Sequence, residues 1–129
     1  MAIAASPTKM IPFDFSSLIK EWGDEPEFLA KILEIFVRDT RADLETLALA
    51  LSAEDQAKLA RTAHHLKGAA GILGAEAIRK QAALLEELGF KGELADAEAC
   101  MAKLRSEYSR FIDSLSELAL PPGPSESAF

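Results

Sequence analysis

The chain has 129 residues and a formal net charge of −7, with 49% hydrophobic and 27% charged residues. This length and composition suit one globular domain with its own core, and the negative charge disfavours nucleic acid as the main partner. No apolar run approaches the roughly 18 residues of a membrane span, and residues 1–9 lack the charged start and apolar block typical of a secretory signal, so we expect neither. The single cysteine, Cys100, allows neither an intrachain disulfide nor a cysteine zinc cluster, so we expect a cytoplasmic protein outside the membrane.

The first third of the chain predicts an arm, a short helix and a long helix. Residues 1–12 have the composition of a flexible arm, and Asp14 can cap a helix that ends at Gly23. Pro26 then suits the first turn of a helix over 26–51, where its missing N–H costs nothing. Apolar residues recur there at spacings of three and four, with Thr40 filling one gap. Four apolar side chains of the short helix are expected to cap one end of the domain: Phe15, Leu18, Ile19 and Trp22.

Three further helices follow in the remaining sequence. Ser52 resembles an N-cap with an acidic residue three positions later, and the helix that it opens runs to Gly74. A helix over about 75–88 precedes a turn bracketed by Gly89 and Gly92. The last helix, 94–118, has the most regular apolar seam.

The four long amphipathic helices predict the fold class. Strand alternation is absent and β-branched residues are sparse, so the chain reads as all-α. An antiparallel four-helix bundle with a short N-terminal capping helix buries every apolar stripe. The bundle domain is expected over residues 13–119, followed by a flexible Pro-rich tail over 120–129.

Two adjacent histidines, His64 and His65, lie within the third helix. The core stripe uses Ala63 and Leu66, so His64 lies about 100° from a core position, at the edge between core and solvent. Metal ligation by the pair is disfavoured, because adjacent helical side chains diverge and helical ligands favour spacings of three or four.

Cations and small residues surround His64 along this helix. Lys67, Gly68 and Gly71 follow on its face, and Arg61 precedes it. Each helical glycine costs roughly 1 kcal/mol relative to alanine, and clearance for another surface would explain that cost. From Lys58 to Gln81 there are five cations and one acid, a local charge of +4 that suits a phosphoryl group. Arg61 fits partner docking and ordinary solubilisation equally well.

Helical hairpin geometry suggests a partner for His64. If the hairpin pivots near Ala75, then His64 lies eleven residues before the pivot and Glu86 lies eleven after it. Glu86 could then reach a ring nitrogen and fix the imidazole tautomer. A plain solvated charge is an equally good interpretation of Glu86.

Residues 63–75, AHHLKGAAGILGA, resemble the signature of the histidine-containing phosphotransfer (HPt) domain of two-component phosphorelays. Residues 23–29, GDEPEFL, and 36–40, FVRDT, resemble the first bundle helix of that family. The resemblance covers roughly residues 14–115. Its pattern has one residue between the phosphorylated histidine and Leu-Lys-Gly, which implies His64 and leaves His65 at the variable position.

The resemblance also implies roles for neighbouring residues. Lys67 matches the lysine that helps hold the phosphoryl oxygens, and Gly68 matches the glycine that leaves room for a receiver domain. Glu86 falls where the family often has Gln or Glu. The implied function is a phosphocarrier without an ATP site, which accepts a phosphoryl group from a receiver aspartate and passes it to another receiver.

The same resemblance implies the partners. They are receiver domains of response regulators and of a hybrid histidine kinase, and Mg²⁺ is expected to come with the receiver rather than with this chain. The seams leave no obvious apolar face for a dimer, so we expect a monomer.

Two other functions fit a helical bundle. One is a non-catalytic adaptor that binds a receiver domain or a histidine kinase without accepting phosphate. The other is a fragment of an autophosphorylating kinase. The retention of His64, Lys67 and Gly68 favours the carrier over the adaptor, and His65 replaces the glutamate that usually follows the kinase histidine.

Overall fold

Five α-helices make up the computed structural model, which describes residues 16–117. They are α1 (Ser16–Trp22), α2 (Pro26–Ser52), α3 (Gln56–Leu73), α4 (Glu76–Lys91) and α5 (Leu94–Ser116). No strand occurs in this range, which confirms the all-α prediction. The predicted arm, the Asp14 cap, Phe15 and the tail lie outside the described residues. Within residues 16–117, no helix combines the length and apolarity needed to cross a lipid bilayer.

The four long helices form the predicted antiparallel bundle. Each packs against the next along the chain, α2 closes the bundle against α5, and α1 lies against α2. Most side chains of the predicted stripes are buried, including Thr40, whereas Leu51 of α2 and Leu94 and Tyr108 of α5 are partly buried against the core. The Phe36 and Phe111 rings meet edge to face at 5.3 Å, and the Tyr108 hydroxyl donates to the Val37 carbonyl at 3.0 Å. These contacts hold the first and last long helices together.

The short helix α1 covers the core with fewer side chains than predicted. Leu18 is buried, and the Trp22 ring lies 5.2 Å from that of Phe28. Ile19 was expected to face inward but is 45% exposed. It lies about 100° around the helix from Leu18, and a helix of two turns has room to bury only one face.

Asp55, rather than the predicted Ser52, caps α3. Its side chain accepts a hydrogen bond from the Lys58 backbone N–H at 3.1 Å, whereas Ser52 is the last residue of α2. Glu54 adopts a left-handed conformation with φ 56°. The chain therefore uses residues 53–55 to reverse direction before the next helix begins.

Helix α4 extends three residues beyond its predicted end. Gly89 lies inside the helix, where an added Cβ would lie 3.2 Å from the Ala60 backbone nitrogen. Glycine thus permits close approach of α3 and α4 here, instead of starting a turn. The helix ends at Gly92, whose φ of 73° places it in the left-handed region.

Substitution of glycine by alanine should have opposite effects on the stability of the fold at positions 68 and 74. Gly74→Ala places a side chain at a φ of 76° and should destabilise the fold by about 1 kcal/mol. Gly68→Ala should stabilise it by about 1 kcal/mol, because Gly68 is helical and an added Cβ meets no described atom within 4 Å. Urea unfolding followed by circular dichroism measures both. Changes of the same sign would contradict this account of the two positions.

Candidate functional site

Helix α3 presents two histidines side by side on the surface of the bundle. Ala63 and Leu66 are fully buried, and this fixes the rotation of the helix about its axis. The side chains of His64 and His65 are 67% and 63% exposed. His64 therefore lies beside the core stripe, as predicted, with most of its ring accessible to a partner.

Glu86 of α4 contacts two side chains of α3. Its Oε2 lies 2.8 Å from His64 Nδ1, and its Oε1 lies 2.7 Å from Lys67 Nζ. The Glu86 side chain is only 14% exposed, so the carboxylate is held between the two helices. The structure confirms the predicted contact with His64 and adds the ion pair with Lys67.

The charge state of Glu86 determines the tautomer of His64. The hydrogen bond from Lys67 is the main cause of a lowered pKa for Glu86, with a smaller contribution from His64 that adds to it. Glu86 is therefore an ionised carboxylate at neutral pH and can only accept hydrogen bonds. His64 Nδ1 must carry the proton, and in the neutral ring Nε2 keeps its lone pair. The ring thus offers one nucleophilic nitrogen.

Asp43 of α2 holds the second histidine. Its Oδ2 lies 2.9 Å from His65 Nδ1, and its side chain is 17% exposed. Burial raises the pKa of Asp43, and the hydrogen bond from His65 opposes that rise. Sequence reasoning missed this contact, although the hairpin geometry that suggested Glu86 also suggests Asp43. In the hairpin of α2 and α3, Asp43 lies eleven residues before Glu54 and His65 lies eleven residues after Glu54.

The positive charge near His64 is smaller than the sequence count implies. Lys67 is paired with Glu86, and Arg79 donates two hydrogen bonds of 2.7 Å to Glu76. The count of +4 included Glu76 but left out Glu86 and Asp43, which other helices bring to α3, so the charge of the assembled surface around the histidines is positive but smaller than +4. Arg61 remains exposed on the same helix.

The two helical glycines beside the histidines face open space. An added Cβ at Gly68 would meet nothing within 4 Å in the described part of the chain. At Gly71 it would meet only Arg79 Cδ, at an ordinary 3.6 Å. Packing within these residues therefore does not require glycine at either position. This agrees with the interpretation that the clearance serves another molecule.

Cys100 is separate from this site. It is buried, and its thiol donates to the Gln81 carbonyl at 3.3 Å. Burial raises the pKa of the Cys100 thiol, which keeps it protonated and unreactive. Residues 16–117 contain no cluster of three or more His, Cys, Asp or Glu side chains suited to a metal ion.

Comparisons with known proteins agree on one family. Residues 31–114 match the family model of the Hpt domain. The phosphorelay intermediate protein rdeA of Dictyostelium discoideum is 26% identical over 111 residues, which make up 86% of this chain. The chain spans 44% of the length of that relative. The crystal structure of histidine-containing phosphotransfer protein B from Pseudomonas aeruginosa PAO1 has a TM-score of 0.72 and 30% identity, covering 88% of this chain and 96% of that one.

The Glu86 ion pair predicts a pH-dependent contribution to stability. Because its pKa in the folded state lies below the ordinary value of 4.5, the contribution is present above that value and is lost as the pH falls through the folded pKa. Glu86→Gln should cost about 1 kcal/mol at neutral pH. The difference from wild type should shrink as the pH falls below 4.5 and should vanish once the pH lies below the folded-state pKa of Glu86.

Urea unfolding at neutral pH and at a series of acidic pH values measures this difference. Glu87→Gln is the matched control, because Glu87 is exposed and pairs with Lys91 within its own helix. A Glu86→Gln difference that stays constant with pH would contradict the assignment of an ionised Glu86.

Proposed function

The chain belongs to the Hpt domain family, and on this premise we propose that it is a phosphocarrier that accepts a phosphoryl group on His64 Nε2 from a receiver-domain aspartate and passes it to another receiver. The observation that carries the proposal is the contact of 2.8 Å between His64 Nδ1 and Glu86. It leaves an exposed, unprotonated nitrogen on a ring of fixed orientation.

The transfer step needs no base from this chain. The lone pair of His64 Nε2 attacks the phosphorus of the aspartyl phosphate, a P–N bond forms, and the P–O bond to the receiver carboxylate breaks. Nε2 carries no proton, so none has to be removed. The positive charge that develops on the ring is stabilised by Glu86 through the Nδ1 proton. Transfer to the next receiver reverses these steps.

Lys67 supplies the positive charge for the phosphoryl oxygens in this proposal. It lies three residues after His64, on the same side of α3, and its side chain is 33% exposed. When His64 is not phosphorylated, Glu86 holds the Lys67 ammonium group beside the ring. After transfer, the oxygens of the phosphoryl group on Nε2 would compete with Glu86 for the Lys67 ammonium group.

The proposed partners are receiver domains of response regulators and of a hybrid histidine kinase. The open surface at Gly68 and Gly71 lets a receiver approach α3 closely, and Arg61 adds an exposed cation on that helix. Mg²⁺ belongs to the receiver in this proposal and supplies charge neutralisation for the acyl phosphate. We further propose that the protein acts as a monomer and has no ATP site of its own.

His64→Gln should abolish phosphoryl transfer from a phosphorylated receiver, because the amide side chain offers no nucleophilic nitrogen. His65→Gln should retain transfer, because the His64–Glu86 contact is unchanged. Phosphate incorporated into the purified protein measures both. Loss confined to His65→Gln would overturn the assignment, and equal phosphate uptake by the two variants would show that His64 is not the acceptor.

Lys67→Ala should slow transfer on the order of tenfold or more, because a cation that neutralises the transferred group is lost. The helical circular-dichroism signal should stay intact, because the ammonium lies at the surface. Lys58→Ala, at the exposed start of α3, is the matched control and should transfer at the wild-type rate. Wild-type transfer by Lys67→Ala would remove this residue from the proposed site.

A further inference from the structure

The His65–Asp43 pair repeats the arrangement of the His64–Glu86 pair on the other side of α3. In both pairs a carboxylate of a flanking helix holds Nδ1, at 2.9 Å and 2.8 Å, and the partners are 22 residues apart. In both pairs the carboxylate is mostly buried and the imidazole is more than half exposed. The phosphocarrier function proposed above uses only one of these two anchored rings.

We propose that His65 is a second phosphoryl acceptor, anchored by Asp43, for small donors with a P–N or acyl phosphate bond. A carboxylate that accepts from Nδ1 leaves Nε2 as the nucleophilic nitrogen. Arg61 lies four residues before His65 and is exposed, so a cation is available on the same helix face for the phosphoryl oxygens.

The two rings point toward different neighbours. Adjacent residues lie about 100° apart around a helix, so His64 leans toward α4 and His65 toward α2. A receiver aligned in line with His64 Nε2 is therefore not aligned with His65 Nε2. A small phosphoryl donor has no such docking constraint and can approach His65 Nε2 in line.

Phosphoramidate is a suitable donor because its reaction balances without a further reagent. The lone pair of His65 Nε2 attacks phosphorus, the new N–P bond forms, and the P–N bond of the donor breaks to release ammonia. The Nδ1 proton stays between the ring and Asp43. The product has one positive charge on the ring and two negative charges on the phosphoryl group. Its net charge equals that of the zwitterionic phosphoramidate, so charge balances when ammonia leaves.

The chain contains only two histidines, so His64→Gln leaves His65 as the single imidazole. Intact-mass measurement after incubation with phosphoramidate should show two acid-labile phosphates on wild type, one on His64→Gln and none on the double variant with His65→Gln. Because this donor is not a receiver domain, failure here would leave the phosphocarrier function of His64 intact, and failure of that function would not affect this result.

The effect of Asp43 on the labelling rate of His65 distinguishes an acceptor that Asp43 orients from an exposed histidine that reacts without help from its neighbours. In the His64→Gln background, Asp43→Asn should slow labelling of His65 roughly tenfold, the usual order for loss of an orienting carboxylate. Glu45→Gln, an exposed change on the same helix, should leave the rate unchanged. Circular dichroism checks that each variant folds. Absence of label on His64→Gln, or equal labelling rates with and without Asp43→Asn, would overturn the proposal.

Discussion

The rest of the site depends on the two contacts that the Glu86 carboxylate makes with α3. One oxygen accepts from His64 and the other from Lys67, so a single side chain of α4 positions the nucleophile and the cation of α3 together. The ion pair with Lys67 also lowers the pKa of Glu86 and keeps it an acceptor. Glu86 therefore fixes the tautomer of His64 through Nδ1, although the nitrogen proposed to react is Nε2.

The bundle makes this contact possible because its hairpins are nearly symmetric. Residues equally far from a turn meet across two antiparallel helices, and this brings together residues 22 positions apart across α2 and α3 and again across α3 and α4. The apolar stripes then set the rotation of α3 between its two neighbours. The rings of His64 and His65 consequently lie against carboxylates of two different neighbouring helices, α4 and α2.

Much of this could be predicted from sequence, because apolar periodicity and glycine at helix ends are local signals. The helix order, the bundle and the His64–Glu86 contact followed from them. Sequence alone does not distinguish a cap at Asp55 from one at Ser52, because both residue types cap helices well. Which residue caps α3 depends on how many residues the chain needs to reverse direction between α2 and α3. The sequence alone predicts a turn at Gly89, because the close packing of Gly89 against Ala60 arises only when α3 and α4 are assembled.

The charge around the histidines shows the same limit. Counting over residues 58–81 included Lys67 and Arg79 but omitted Glu86 and Asp43, which lie outside that window. The net charge of a site is a property of the assembled surface, and a window of sequence samples only part of the helices that form it. The Asp43 contact was available to the same geometric count, applied to the earlier hairpin.

Gly68 has a consequence for protein engineering. The fold has room for a side chain there, and helix propensity favours nearly any residue over glycine. A selection for thermal stability alone, or a design procedure guided by the isolated chain, would therefore replace Gly68 and report an improved protein. Under the proposed function, such a protein would gain stability and lose the clearance that lets a receiver domain approach α3.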